Sequence, residues 1–262
     1  MTRIVEKYLW ESRDVLVVKG TFAPLLQEHE AYLDTHHIEA EKDPGASRDL
    51  ERLIIGVALA HSVSQEGESI GWSLKLPGSA YGLFAATEPE GMTCGRVVWQ
   101  SSPAKEPVVV VQTARPYSPM TQSSVTPSSN DPVQGIEDYF SDAKQTATRL
   151  LIDDSTQRGL LLQALPGGKF ADLEMMDPTE VFTAVDAALK QEEMTRLTET
   201  VMFYACRCND EMILNVFMGL SREQRAELSD EDGSVSIECP RCGRRYTIKK
   251  AAYGGGGNAE PH

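Results

Sequence analysis

Short runs of β-branched and aromatic residues alternate with segments of helical spacing over the first two thirds of the chain. Segments 14–18 (DVLVV), 72–76 (WSLKL) and 108–111 (VVVV) have the composition of strands. Leu25–Leu33 and Leu53–Ser62 carry apolar residues at helical spacing, which predicts helices. The pattern therefore predicts an α+β fold whose N-terminal domain is β-rich with packed helices.

A second group of elements is predicted to close this domain near Gly168. Segment 135–152 predicts a helix that leads into a strand, and 159–168 (GLLLQALPGG) predicts a strand ended by a turn. Between the two groups, Arg115–Pro132 holds four prolines, five serines and two threonines. Such a composition buries little apolar area, so we expect a long surface loop there. The predicted N-terminal domain spans residues 1–170.

The following segment begins with a sharp signal for the start of a helix. Asp177 is the predicted N-cap, Pro178 takes the first helical position and Glu180 follows three residues after the cap. Over residues 172–232 there are fifteen acidic and five basic residues, so self-repulsion opposes compactness. We therefore expect a metastable helical linker over 171–203.

The C-terminal part is predicted to form a small domain over residues 204–253. Ser221 is the predicted N-cap of a short helix, and 234–238 (SVSIE) and 244–248 (RRYTI) predict two short strands. Residues 254–262 are rich in glycine and predict a flexible tail.

Composition and charge exclude several classes of protein. The chain has 262 residues, 41% of them apolar, and a formal net charge of −14, so it can form a core and repels nucleic acid and anionic membranes. The longest apolar run is far shorter than the ~20 residues that a membrane span requires. The charged N-terminus has no secretory signal pattern, so we expect a cytoplasmic protein without membrane or nucleic-acid partners.

The sequence offers no convincing catalytic motif, and we do not expect an enzyme. Residues 67–71 match G-x-S-x-G, but a predicted helix precedes them and a predicted strand follows, which is the reverse of a nucleophile elbow. No G-x-x-x-x-G-K-[ST] motif is present, so the chain has no predicted phosphate cradle for ATP.

Four of the five cysteines form two close pairs. Cys206 and Cys208 form a C-x-C pair, and Cys239 and Cys242 form a C-x-x-C pair thirty residues further along the chain. Thiolates are ligands that suit tetrahedral Zn²⁺, and four of them leave no open position for a substrate. The pattern predicts one structural or redox-active zinc ion per chain. The fifth thiol, Cys94, is expected to be a small buried apolar side chain.

The predicted zinc domain is about fifty residues long, a size at which an apolar core alone is marginal. Pro240 and Gly243, beside the second cysteine pair, are turn residues that let a knuckle wrap an ion. Structural zinc contributes an apparent ~10 to 16 kcal/mol to small peptide domains, so loss of the metal is expected to unfold this domain. A disulfide within the C-x-C pair is sterically within reach but strained, which is typical of regulatory bonds. The spacing leaves a redox switch and an inert zinc ribbon equally open.

The C-x-C and C-x-x-C pairs resemble the signature of the heat-shock protein 33 family of redox-regulated chaperones. Segments 139–152 (YFSDAKQTATRLLI) and 159–168 are similar to the end of the first domain in that family. The resemblance spans Gly135 to Tyr253 most clearly. The first 130 residues match only in outline, and SDAKQ stands where the family usually has Ser-Glu-Gln.

The resemblance implies an ATP-independent holdase, a chaperone that binds unfolding proteins without folding them. The reduced, zinc-bound form would be an inactive monomer. Oxidation would join Cys206 to Cys208 and Cys239 to Cys242, release zinc and unfold the linker, and the active form would be a homodimer. The exposed linker would bind clients through methionines, for which we name Met175, Met176, Met194 and Met202. From the methionines alone, ordinary core packing is the commoner use of this residue type.

Two alternatives remain for the cysteine domain. Its second pair has a basic flank, which suits a zinc ribbon that binds nucleic acid; the flank comprises Arg241, Arg244, Arg245, Lys249 and Lys250. A basic face that is solvated or paired with the neighbouring acidic run is the simpler interpretation. The other alternative is a structural docking protein with a zinc site that does not respond to oxidants.

Overall fold

The computed structural model describes residues 4–38, 43–100, 106–230 and 232–249. The strands are β1 (Ile4–Trp10), β2 (Val15–Thr21), β3 (Ser69–Lys75), β4 (Tyr81–Thr87), β5 (Met92–Trp99), β6 (Val108–Ala114), β7 (Thr121–Val125), β8 (Thr148–Asp153), β9 (Arg158–Ala164), β10 (Met194–Val201), β11 (Phe203–Tyr204), β12 (Val235–Glu238) and β13 (Arg245–Ile248). The helices are α1 (Ala23–Thr35), α2 (Pro44–His61), α3 (Pro132–Asp142), α4 (Ala171–Met175), α5 (Pro178–Lys190), α6 (Asp210–Met218) and α7 (Arg222–Glu227).

These strands form two large sheets and one hairpin. The five-stranded sheet has the order β10-β1-β2-β9-β8, and the six-stranded sheet has the order β11-β5-β4-β3-β6-β7. β12 and β13 pair with each other as an antiparallel hairpin. β11 is parallel to β5, and every other pairing is antiparallel within the described residues.

Helix α2 supplies the centre of the main core and contacts both large sheets. Its side chains Leu53, Ile54 and Leu59 are fully buried, as expected for a helix covered on both sides. Asp43 is the N-cap of this helix, and its side chain accepts hydrogen bonds from the first turn. At Gly56 it lies so close to α3 that an added Cβ would be 2.5 Å from Cδ1 of Ile136.

A second core lies on the opposite face of the five-stranded sheet, under α5. Val181 and Val185 of this helix pack with Val15 and Val17 of β2. The capping box predicted at the start of the helix is confirmed. The side chain of Asp177 accepts from the backbone amide of Glu180, and the side chain of Glu180 accepts from the backbone amide of Asp177. None of the helices in the described residues is long and apolar enough to cross a membrane.

The α+β class and the predicted strands and helices of the β-rich part are confirmed, but the loop predicted over Arg115–Pro132 is partly wrong. Within it, β7 forms an edge strand against β6, with Val109 opposite Val125. An edge strand needs main-chain hydrogen bonds on one side only, so a polar segment rich in serine and threonine can adopt it. Composition alone therefore missed one strand of the six-stranded sheet.

The linker prediction requires a similar correction. Residues 171–203 are helical in α4 and α5, but Met194–Val201 forms β10, which pairs with β1 at the edge of the five-stranded sheet. Most side chains of β10 are exposed, so its apolar pattern is too weak to indicate a strand in advance. The boundaries at 170, 203 and 253 remain predictions. The predicted tail and Lys250 of the predicted basic flank lie outside the described residues.

Candidate metal centre

The first cysteine pair lies immediately after β11. Tyr204 of this strand is aligned with Thr93 of β5, and the amide of Ala205 donates to the carbonyl of Thr93 at 3.0 Å. Cys206 and Cys208 follow at once, before α6 begins. The residues that lead into the pair thus anchor the chain to the six-stranded sheet.

The second pair lies in the turn between β12 and β13. The amide of Cys239 donates to the carbonyl of Arg244 at 2.8 Å, and the amide of Gly243 donates back to the carbonyl of Cys239 at 2.9 Å. Gly243 has φ of 80°, a left-handed conformation that favours glycine. The predicted role of this glycine in a tight knuckle is confirmed, and the turn directs Cys239 and Cys242 toward the first pair.

The four sulfur atoms form one compact cluster, all within 4.8 Å of one another. Sγ of Cys206 is 3.9 Å from that of Cys239, and Sγ of Cys208 is 3.5 Å from that of Cys242. In a tetrahedral site with Zn–S bonds of about 2.3 Å, neighbouring sulfurs lie about 3.8 Å apart. The residues present therefore fit a four-thiolate metal ion, and none of the thiols is joined in a disulfide.

Two tyrosine hydroxyls donate hydrogen bonds to the sulfurs. Tyr246 Oη donates to Sγ of Cys208 at 3.0 Å, and Tyr32 Oη donates to Sγ of Cys242 at 3.4 Å. Burial raises the pKa of both tyrosines, and the nearby sulfurs raise it further, so both hydroxyls keep their protons. Outer hydrogen bonds of this kind orient metal ligands and stabilise their negative charge. Tyr32 lies on α1, so one of these bonds comes from the N-terminal part of the chain.

Glu88 attaches residues 205–249, which we call the cysteine module, to the six-stranded sheet. Its side chain is only 4% exposed and accepts from Arg241 at 2.5 Å and from Arg207 at 3.5 Å. Ser69 donates a further hydrogen bond to this carboxylate. Burial acts to raise the pKa of Glu88, but the bonds from Ser69 and Arg241 outweigh it and hold that pKa below its ordinary value. The carboxylate is therefore ionised and contacts both cysteine pairs through their intervening arginines.

Arg96 of β5 forms a second attachment. Its Nη1 donates to the carbonyl of Cys239 at 2.9 Å, and its Nη2 donates to Glu238 at 3.0 Å. Glu238 also accepts from Arg245 at 3.0 Å. Arg241 and Arg245 of the predicted basic flank are thus paired with glutamates, although these are not the glutamates of the neighbouring acidic run.

An aromatic cluster packs beside the first cysteine pair. The rings of His29 and Tyr204 lie 4.7 Å apart, and those of Tyr32 and Tyr204 lie 5.3 Å apart. Burial lowers the pKa of His29 to about 4, so this imidazole is neutral at physiological pH. Tyr204 Oη donates to the carbonyl of Gly95 at 2.8 Å and accepts from its amide at 3.1 Å.

The structure brings the four predicted metal ligands together but scatters the four methionines named for client binding. Met175 is 85% exposed on α4. Met194 is buried in the second core and Met202 in the main core, whereas Met176 is partly buried against the second core. The methionines therefore form no common surface in this state.

Sequence reasoning missed the residues that join the module to the sheet. Glu88 lies just after β4 and Arg96 within β5, and neither belongs to a local motif. Arg207 lies between Cys206 and Cys208, and Arg241 lies between Cys239 and Cys242. This position was the one feature of the sequence that could have indicated a role for the two arginines. The expectation that Cys94 is buried is confirmed, at 1% exposure, but its position near the first cysteine pair was not foreseen.

Comparison with known proteins identifies the family of this fold. The family model described as Hsp33 protein matches residues 18–249. The chain belongs to the Hsp33 family. It is 27% identical over 157 residues to the 33 kDa chaperonin of Hahella chejuensis, and 30% identical over 162 residues to that of Pseudomonas fluorescens. These alignments cover 52% and 49% of this chain, and 55% and 54% of the relatives, so the chain spans about half the length of the curated relatives it matches.

A solved structure supports the Hsp33 fold over nearly the whole chain. The crystal structure of the 33 kDa chaperonin from Thermotoga maritima, described as a heat shock protein 33 homologue, superposes with a TM-score of 0.68. The superposition covers 96% of each chain at 15% sequence identity. This likeness concerns the fold alone. Together with the family match, it confirms the predicted Hsp33 resemblance beyond the segment that first suggested it.

Proposed function

We propose that this chain is a redox-regulated, ATP-independent holdase that binds unfolding proteins. The observation that carries the proposal is the cluster of four thiols, within 4.8 Å of one another, in a chain of the Hsp33 family. Zn²⁺ is the ion that best suits four cysteine sulfurs, and when bound it would hold the two cysteine pairs together. One ion per chain would stabilise the reduced, inactive form.

Oxidation would dismantle this site through its own ligands. Cys206 would pair with Cys208, and Cys239 with Cys242. In each pair, two thiols lose two electrons and two protons to hydrogen peroxide, one S–S bond forms, and the peroxide becomes two water molecules. Each bond removes two of the four ligands, so the module loses the interaction on which a domain of this size depends.

The linker is proposed to separate from the first domain once the module opens. β10 contacts the five-stranded sheet by its β1 edge only, and Leu197 and Val201 are already 44% and 53% exposed. Its single buried side chain is Met194, so little apolar burial holds it in place. Release would expose Met194 and Met202 together with Met175 and Met176, which we propose as client-binding residues.

Unfolding proteins are the proposed partners. The active form is proposed to be a homodimer and the reduced form a monomer. A net charge of −14 would keep a chain with exposed apolar segments soluble. A reducing compartment such as the cytoplasm would keep the thiols reduced until oxidants appear.

Peroxide treatment of the reduced, zinc-loaded chain tests the proposal. Peroxide with mild heat should release about one zinc per chain, measured with a colorimetric chelator, and should make the protein suppress light scattering by an unfolding client. The untreated protein is the control. Equal client protection before and after oxidation would exclude the redox switch, and zinc that resists peroxide would favour a purely structural site.

A further inference from the structure

The fifth cysteine lies on the face of the six-stranded sheet that carries the metal centre. Cys94 is aligned with Ala86, and Arg96 with Phe84, so the side chains of Cys94 and Arg96 leave β5 on the same face. On that face Arg96 donates to the carbonyl of Cys239. Cys94 is therefore covered by the cysteine module, in agreement with its 1% exposure.

The side chain of Cys94 lies near the side chains of Cys206 and Arg241. Cys206 is partly exposed, whereas the other three ligands of the cluster are buried. An oxidant from solvent therefore reaches Cys206 more readily than the other three cysteines, and Cys94 is a near neighbour of the sulfur that it reaches.

Backbone pairing holds these two cysteines side by side independently of the metal ligands. Ala205 donates to Thr93 at 3.0 Å, and the hydroxyl of Tyr204 bonds both the carbonyl and the amide of Gly95. These bonds connect the two residues before Cys206 to the residues on either side of Cys94. When the hairpin that carries the second pair moves away, Cys94 and Cys206 keep this connection.

We propose that Cys94 is a second disulfide partner of Cys206 and competes with Cys208. This inference rests on the proposed redox function. Peroxide converts the Cys206 thiol to a sulfenic acid with release of one water, and the Cys94 thiol then attacks that sulfur, forms the S–S bond and releases a second water. The bond would attach the end of the linker to β5 and limit how far the linker can leave the first domain.

Tryptic digestion separates the relevant cysteines, because an arginine stands inside each metal-binding pair. Cys94 falls in peptide 76–96, Cys206 in 197–207 and Cys208 in 208–222. The second pair is likewise divided between 226–241 and 242–244. Mass spectrometry of the full-length, peroxide-treated protein, alkylated in denaturant and digested without reduction, therefore identifies each disulfide by the two peptides it joins.

The decisive variant is Cys208→Ala, with Cys94→Ala/Cys208→Ala as its matched control. In the single variant, peroxide should join 76–96 to 197–207 and abolish alkylation of Cys94, and the double variant should lack this product. Because Cys208→Ala removes a metal ligand, the same map on the wild type is the second measurement, and there the joined peptides should appear beside the pair 197–207 and 208–222.

Two other outcomes are distinguishable. If Cys94 stays fully alkylated in both proteins while 226–241 and 242–244 become joined, Cys94 is no disulfide partner and the redox function stands. A bond from 197–207 to either peptide of the second pair, in place of 76–96, would overturn the inference in the same way. If no peptides become joined and the metal is retained, the proposed redox function itself fails.

Discussion

The carboxylate of Glu88 and the guanidinium of Arg241 form an ion pair of 2.5 Å between the six-stranded sheet and the turn that carries the second cysteine pair. The two side chains are 4% and 17% exposed, so the pair is largely shielded from water. Arg241 stands between Cys239 and Cys242 in the sequence. A change in the cysteine turn therefore alters the surroundings of Glu88 directly.

Glu88→Gln should weaken the attachment of the module and accelerate metal release under peroxide. The substitution leaves Arg241 buried without its counter-charge, and removing one partner of a buried pair costs up to about 3–5 kcal/mol. The rate of zinc release, followed with a colorimetric chelator, should rise several-fold. Glu90→Gln, at an exposed position in the adjacent turn, is the control and should match the wild type. Identical rates for the two variants would show that the ion pair does not restrain the module.

Cys239→Ala should abolish the compact state of the cysteine module while leaving the first domain folded. A three-ligand site loses most of the stabilisation that structural zinc gives a small domain, about 10 to 16 kcal/mol in peptide models. Limited proteolysis should cut the chain after residue 204 and spare the earlier part. Cys94→Ala keeps all four ligands and should retain zinc and protease resistance. A resistant Cys239→Ala module would mean that packing on the sheet suffices without the metal.

Tyr246→Phe should lower the affinity for zinc more than Tyr32→Phe does. Each substitution removes one hydroxyl donor to a ligand sulfur, and loss of such outer bonds typically reduces metal affinity by about 10–100-fold. The Tyr246 bond is the shorter, at 3.0 Å against 3.4 Å, and Tyr246 is more deeply buried than Tyr32. Competition with a zinc chelator measures both affinities. Equal affinity for wild type and Tyr246→Phe would contradict a supporting role for this hydroxyl.

Glu137→Gln should stabilise the first domain at pH 8 and have a much smaller effect on its stability at pH 5. Burial raises the pKa of Glu137 to about 7, and the hydrogen bond from the Leu150 amide offsets only part of this rise. Between an unfolded pKa of about 4.3 and the folded value, the folded chain keeps a proton that the unfolded chain has lost, so stability falls as pH rises, by up to about 3 kcal/mol.

Urea unfolding at the two pH values checks this dependence. The glutamine keeps an acceptor oxygen for Leu150 and has no charge to bury, so its stability curve should be flatter between pH 5 and pH 8. Glu193→Gln, which changes an exposed carboxylate, should retain the wild-type slope. A Glu137→Gln protein with that same slope would show that the buried carboxyl does not govern the pH dependence.

Local chemistry made the start of α5 and much of the cysteine module predictable from the sequence. The spacing of the cysteines, the capping boxes at Asp177 and Ser221, and the turn at Gly243 depend on residues a few positions apart. Each of these features is present in the structure. They identify the four clustered cysteines and the elements that carry them without knowledge of the tertiary fold.

Contacts between distant segments could not be predicted in this way. β10 is mostly polar and becomes a strand because β1, at the other end of the chain, offers it an edge. Glu88, just after β4, pairs with Arg241 in the turn between β12 and β13, and Cys94 lies near Cys206 because β11 pairs in parallel with β5. Sequence spacing carries no information about contacts between distant segments. For this reason the ion pair that attaches the module to the sheet and the position of Cys94 near Cys206 were not predicted.

Helix α2 lies between the two large sheets, and the core around it continues into the cysteine module through Cys208, Cys239 and Cys242. Loss of the C-terminal fold would uncover part of that core, whereas the packing of α2 between the two sheets would remain. The six-stranded sheet would then be ready to receive the hairpin of the second cysteine pair again when reductant and metal return. A scaffold that survived each opening would make the proposed cycle repeatable, since the chain would not have to be synthesised anew after each oxidation.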